Sequence, residues 1–139
     1  MSWRAAGCLL VAVAFLAGCG SGSSEGEKAN APAALTVRAF YAAANRSAGP
    51  EACALLTPRG VKQVVHVSSR GACVDTINGL GPGSFSSKSG ELLHIEGVDE
   101  HGTEAFDVDA QLQGKSGGTY TVVKRSGQLL IDGFESDEG

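Results

Sequence analysis

The segment EAFDVDAQLQ, residues Glu104 to Gln113, has the clearest structural pattern in the chain. Apolar and polar residues alternate along it, and a period of two is typical of a β-strand with one buried face. The apolar side is formed by Phe106, Val108, Ala110 and Leu112. The polar side is formed by Asp107, Asp109, Gln111 and Gln113. We therefore predict a strand that lies between a core and solvent.

Turn signals on both sides of this strand predict a meander. Glycine-containing segments suited to tight turns lie at residues 99–102, 114–118 and 125–127. The neighbouring strands are predicted at Glu91–Val98, Thr119–Lys124 and Gln128–Phe134. Short turns join antiparallel neighbours, so the sequence predicts a four-stranded antiparallel sheet with one apolar face.

The first half of the chain has helical periodicity instead. A helix is predicted over Ala33–Ser47, because its apolar residues recur every three to four positions. The buried stripe is predicted to contain Val37, Phe40, Tyr41 and Ala44. We expect the helix to end where Gly49 takes a left-handed conformation, just before Pro50.

Three shorter helical segments are predicted to follow. The first opens at Pro50 and carries Cys53, Leu55 and Leu56. The second runs from Pro58 to Val65, with Thr57 as its N-cap. The third covers Ala72–Leu80. The β-branched run Val61, Val64, Val65 and Val67 also fits a strand, so the second segment has two interpretations. Helices that cover the apolar face of the sheet give an α+β fold.

The N-terminus has the layout of an export signal. Arg4 gives a basic start, and Ala5–Ala17 is apolar but shorter than the roughly 20 residues that span a bilayer. The end of this run and the two residues after it, Leu16-Ala17-Gly18-Cys19, resemble the lipobox of bacterial lipoproteins. That resemblance implies removal of residues 1–18, lipid on the Cys19 thiol, and a location on the outer, extracytoplasmic face of the cell membrane. The alternative is an ordinary signal peptide with an incidental cysteine.

The polar composition of residues 19–32 predicts a flexible tether. It is followed by one predicted domain at residues 33–135 and an acidic tail at residues 136–139.

Of the four cysteines, Cys8 leaves with the signal and Cys19 carries lipid. Cys53 and Cys73 remain as an even pair in an oxidising compartment, which predicts a disulfide. The alternative is a reactive thiol pair, although the sequence has no Cys-x-x-Cys motif to support it.

Charge and histidine spacing exclude several functions. The chain has 11 basic and 15 acidic residues and a net charge of −4, without a basic block. Neither nucleic acid nor anionic lipid headgroups are therefore expected as partners. The histidines His66, His94 and His101 do not have the spacing of metal ligands, and we predict no metal or other cofactor. His94 is placed by alternation on a strand face with Leu92, Glu96 and Val98, where a pocket would lie.

The order of elements resembles the small NTF2-like lipoproteins of high-GC Gram-positive bacteria. The resemblance covers roughly residues 33–135 and lies in three motifs and a cysteine. They are Val37-Arg38-Ala39-Phe40-Tyr41, Cys53-Ala54-Leu55-Leu56-Thr57-Pro58, Cys73, and the closing hairpin from Tyr120 to Asp132. The resemblance implies a curved sheet wrapped around a long helix and a Cys53–Cys73 bridge. It does not imply one activity, because such cones include both enzymes and binding modules.

Candidate catalytic groups are few, and we predict no catalytic residue. Asp107 and Asp109 share a strand face and suit either acid–base chemistry or a solvated surface. In isomerases of the superfamily an Asp base works with a Tyr or Asp donor, and the residues here that match by type are Tyr41, Tyr120, Asp75 and Asp132. We therefore expect a non-catalytic envelope module that binds a protein or an apolar small molecule, as a monomer or homodimer. The alternatives are a cone-fold enzyme acting on a small apolar substrate, and a structural envelope protein.

Overall fold

The computed structural model describes residues 31–81, 93–111 and 117–138, which form four helices followed by four strands. Several predicted features lie outside the described residues: the signal peptide, the lipobox with Cys19, and most of the tether. So do the first two residues of the first predicted strand, and Leu112 and Gln113 at the end of the second. In the described part of the chain, none of the helices has the length and apolar character needed to cross a membrane.

Helix α1 spans Pro32–Asn45, close to the predicted Ala33–Ser47. Proline suits the first helical turn, and the alanines that follow favour the helix. The predicted stripe is confirmed, since Val37, Phe40, Tyr41 and Ala44 are all buried.

The end of α1 differs from the prediction. Ser47, with φ of 56°, takes the left-handed conformation, whereas Gly49 begins helix α2, Gly49–Ala54. Gly49 is needed there for close packing, because a Cβ would lie 2.5 Å from the Val74 carbonyl oxygen. Its N–H donates a 2.8 Å hydrogen bond to Asn78 Oδ1.

Helix α3 spans Pro58–Val64, so the helical interpretation of this segment is correct and the strand interpretation is wrong. Thr57 is the N-cap, because its hydroxyl accepts a 3.0 Å hydrogen bond from the Gly60 N–H. Pro58 suits the first helical position, because it has no N–H of its own to leave unpaired. The side-chain cap outweighs the strand preference of the valines.

Helix α4 spans Arg70–Gly79 and starts two residues before the predicted segment. Ser69 is its N-cap and accepts a 3.2 Å hydrogen bond from the Ala72 N–H. A disulfide joins Cys53 of α2 to Cys73 of α4, with their Cα atoms 6.2 Å apart and both side chains buried. The two short helices are therefore tied together covalently.

The four strands form one antiparallel sheet in the order β1-β2-β3-β4, which confirms the predicted meander. The strands are β1 His94–His101, β2 Ala105–Gln111, β3 Gly117–Arg125 and β4 Gln128–Ser136. The β3–β4 turn has positive φ at Ser126 and Gly127, as a two-residue hairpin loop requires. The β1–β2 turn uses Gly102, with φ of 74°, but β1 continues three residues further than predicted.

Two bulges interrupt the strict alternation of the outer strands. In β1, Ile95 and Gly97 pair with consecutive residues of β2, so Glu96 is the extra residue. The predicted face of His94 is therefore wrong: His94 is exposed, and beyond the bulge Val98 turns toward the core. In β4 the extra residue is Asp132, and this bulge is the reason that Ile131 and Phe134, three positions apart, share the inner face.

The helices cover the apolar face of the sheet, as predicted. The core joins all four helices to all four strands, and its largest fully buried side chains include Phe40, Leu56, Ile77 and Ile131. The architecture is therefore an α+β fold with one helical layer on one open sheet.

The segment between α2 and α3 joins the edge of β4. The Thr57 N–H donates to the Ile131 carbonyl oxygen at 3.0 Å, and the Ile131 N–H donates to the Leu55 carbonyl oxygen at 2.8 Å. Gly60 lets α3 approach closely, because a Cβ there would collide with the same Ile131 carbonyl oxygen. This junction pairs backbone groups that an edge strand would otherwise leave open.

We predict that Gly60→Ala lowers the free energy of unfolding by about 1–3 kcal/mol, because the added methyl group has no room at the junction. The matched control is Gly71→Ala in α4, where a Cβ meets nothing within 4 Å. We expect this control to raise stability by about 0.4–1 kcal/mol through the unfolded chain. Chemical denaturation measures both changes, and equal effects of the two variants would contradict the packing described at Gly60.

Candidate binding groove

A groove of about 490 Å³ lies where the helical half meets the β3–β4 hairpin. Its lining comes from the α2–α3 junction, the starts of α3 and α4, and the hairpin. The residues are Leu56, Thr57, Pro58, Arg59, Arg70, Arg125, Leu130 and Asp132. This volume is in the usual range of small-molecule sites, about 300–1,000 Å³.

Asp132 holds one wall of the groove in place. Its bulged position in β4 aims the carboxylate at the start of α3, where Oδ1 accepts a 2.7 Å hydrogen bond from the Thr57 hydroxyl. Oδ2 accepts a 3.2 Å hydrogen bond from Arg59. The Asp132 side chain is 14% exposed and that of Arg59 is 67% exposed, so the carboxylate is fixed while the guanidinium reaches solvent.

Arg70 is held in the groove by backbone carbonyls rather than by an acid. Its guanidinium donates to the carbonyl oxygen of Cys53 at 2.7 Å and to that of Leu56 at 3.1 Å. These carbonyls lie at the C-terminal end of α2, where a positive charge is favourable. Because Arg70 begins the helix that carries Cys73, the disulfide keeps its side chain within reach of α2.

Arg125 reaches the groove from the last position of β3, beside the tight turn. Across residues 31–81, 93–111 and 117–138, neither Arg125 nor Arg70 forms an ion pair. The groove thus gathers three guanidinium groups around one carboxylate, in a chain whose net charge is −4. Such an arrangement attracts anions and gives planar donors to carboxylate or phosphate oxygens.

The two tyrosines named as candidate donors lie in the core, where their hydroxyls hydrogen-bond to each other. The rings of Tyr41 and Tyr120 meet edge to face, with centroids 6.0 Å apart. Burial raises the pKa of both groups, and the neighbouring Tyr41 raises the pKa of Tyr120 further. Both hydroxyls therefore stay protonated and serve the packing of α1 on the sheet.

The predicted carboxylate pair lies on the outer face of the sheet. Asp109 accepts a 2.7 Å hydrogen bond from Thr119, and Asp107 accepts one of 3.2 Å from Thr121. Asp107 also contacts His101 Nε2 at 2.7 Å. These are cross-strand surface contacts, and they support the solvated-face interpretation of the pair.

The other candidates are not brought together. His66 is exposed after the C-terminal end of α3, and His94 is exposed on β1. Asp75 is exposed on α4. Asp132 lines the groove, whereas neither tyrosine does. Among the described residues there is no group of three or more metal-ligating side chains.

The sequence did not predict the three arginines of the groove as site residues. Arg59, Arg70 and Arg125 are far apart along the chain and belong to no motif. The sequence holds a partial signal for Arg70, which begins the helix that the Cys53–Cys73 bond ties to α2. Comparisons of the chain with models of protein families, with curated proteins and with solved structures find no match.

We predict that stability falls above about pH 10, because the unfolded chain ionises its tyrosines near that pH while the folded chain keeps both protonated. The chain has two tyrosines, and both belong to the buried pair. The slope should reach about 2.7 kcal/mol per pH unit for the two groups together. Denaturation at several pH values measures the slope, and near-ultraviolet absorbance detects tyrosinate. Tyrosinate formed near pH 10 in a chain with native circular dichroism would contradict the buried pair.

Proposed function

We propose that this chain is a lipid-anchored, non-catalytic binding protein of the cell envelope. The support for the anchor is the resemblance of Leu16-Ala17-Gly18-Cys19 to a lipobox, followed by a polar tether. Two or three acyl chains on Cys19 would give a stable attachment, whereas one would be marginal. The domain then works close to the outer face of the membrane.

The observation that favours binding is the groove between the helices and the β3–β4 hairpin. Its polar groups converge from separate elements, as in small-molecule sites. The groups that an isomerase-like mechanism would use are instead separated: the tyrosine hydroxyls bind each other, and Asp132 binds Thr57 and Arg59. A binding role therefore fits these residues better than catalysis.

For the fold we propose a small NTF2-like domain. The support is a long first helix packed on a meandering antiparallel sheet, with short helices and a disulfide between them. In this proposal the groove lies outside the apolar interior of the cone, since the inner face of the sheet is filled by side chains such as Phe40 and Tyr120.

The anchor is tested by metabolic labelling with a fatty acid that carries a click handle. Wild-type protein should take up label and fractionate with membranes, because the Cys19 thiol accepts the lipid. Cys19→Ala should lose the label, whereas the matched variant Cys8→Ala should keep it, since Cys8 leaves with the signal peptide. Label retained by Cys19→Ala would contradict the anchor.

The binding role is tested by native mass spectrometry of the full chain released gently from its own membranes. We expect a bound molecule on the wild-type protein and on Lys124→Trp, whose exposed side chain does not line the groove. Leu130→Trp should lose that molecule, because the larger side chain fills the groove. An equal amount of bound molecule on the two variants, or none on the wild type, would contradict the proposal. So would substrate turnover that depends on Asp132.

A further inference from the structure

We infer that the groove binds an oxyanion, a carboxylate or phosphate group, attached to a short apolar portion. The inference rests on the proposed function, because it names the ligand class of the same groove. It also changes the expectation from the sequence, which was a protein partner or an apolar small molecule. The recognising groups are Arg59, Arg70 and Arg125.

The groove carries positive charge that its own carboxylate does not balance. Asp132 forms an ion pair with Arg59 alone, and in the part of the chain that the structure describes Arg70 and Arg125 have no such pair. Guanidinium groups remain charged at all physiological pH values. Three of them around one groove repel each other, and an anion between them relieves that repulsion.

The guanidinium group of Arg70 has hydrogen-bond donors to spare. A guanidinium has five N–H donors, and Arg70 uses its two terminal nitrogens on the carbonyl oxygens of Cys53 and Leu56. Three N–H donors remain unused, on a side chain that two hydrogen bonds hold in position. A preorganised guanidinium loses less entropy when it binds a carboxylate or phosphate, and the bond is charge-assisted.

The side chains of Arg59 and Arg125 are held less firmly than that of Arg70. Arg59 is 67% exposed, and its single contact with Asp132 is a surface ion pair, which holds a side chain weakly. Arg125 is exposed at the end of β3. Both side chains can therefore close on an anion that Arg70 binds in the groove.

Part of the groove lining is apolar. Leu56, Pro58 and Leu130 contribute apolar surface beside the arginines. A volume of about 490 Å³ exceeds the needs of a bare phosphate and leaves space for an alkyl or aryl group. A long polyanion is disfavoured, because the outer face of the neighbouring sheet carries Asp107 and Asp109.

The experiment measures binding of hexyl phosphate by calorimetry to the full chain in phosphatidylcholine nanodiscs. We expect saturable binding that weakens with added salt, weaker binding of inorganic phosphate, and no binding of hexanol. Arg125→Gln should weaken hexyl phosphate binding by about tenfold or more. The matched control Lys124→Gln removes the same charge from the adjacent residue, outside the groove, and should change binding by less than about twofold.

A second arm identifies the source of the anion. Nanodiscs that contain phosphatidylglycerol should compete with hexyl phosphate in wild-type protein if a lipid headgroup occupies the groove, and should leave its affinity unchanged if the ligand is a free molecule. Either result is compatible with the oxyanion site. No saturable binding of hexyl phosphate, or equal losses in Arg125→Gln and Lys124→Gln with native circular dichroism, would overturn it.

Failure of this inference is distinguishable from failure of the proposed function. A molecule that co-purifies with wild-type protein, is lost in Leu130→Trp and contains no oxyanion would leave the binding role intact and remove the anion site. The absence of any groove-dependent molecule would remove the binding role itself.

Discussion

Two backbone hydrogen bonds between the α2–α3 segment and Ile131 connect the helical half of the chain to its sheet. They cover part of the edge of β4, and they start α3 at a fixed place, with Thr57 both as a member of the junction and as the N-cap. Gly60 allows the helix to lie directly against the strand. The bulge at Asp132 follows at once, and its carboxylate binds the Thr57 hydroxyl. The placement of α3 against β4 therefore depends on a few adjacent polar contacts.

The groove is a consequence of this junction and of the disulfide. The junction sets Arg59 and Asp132 side by side, while the Cys53–Cys73 bond holds α4 against α2 and so places Arg70. The hairpin turn brings Arg125 to the same region. A site built in this way needs no single element to carry all its ligands, and its charge arises from the meeting of four segments. The shape of the groove and the stability of the fold here depend on the same contacts.

The sequence predicted the elements well and the groove not at all, for physical reasons. Periodicity is local, so α1, the meander and the cap at Thr57 could be derived from neighbouring residues. The bulges at Glu96 and Asp132 could not, because an extra residue is visible only against the partner strand. Gly49 was expected to end a helix, but its close contact with α4 depends on tertiary packing. The three arginines are brought together by a disulfide and by strand pairing. Both join residues that are far apart in the sequence, so a local pattern does not reveal them.

Amide hydrogen exchange at Thr57 and Ile131 would test the importance of the junction most directly. If these two hydrogen bonds hold the halves together, both amides should be among the slowest in the oxidised protein and should exchange only with global unfolding. The central β3 amides provide the internal reference for global unfolding. Fast exchange at Thr57 and Ile131, while β3 stays protected, would show that the junction opens on its own. That result would contradict an account in which the groove is a fixed part of the fold.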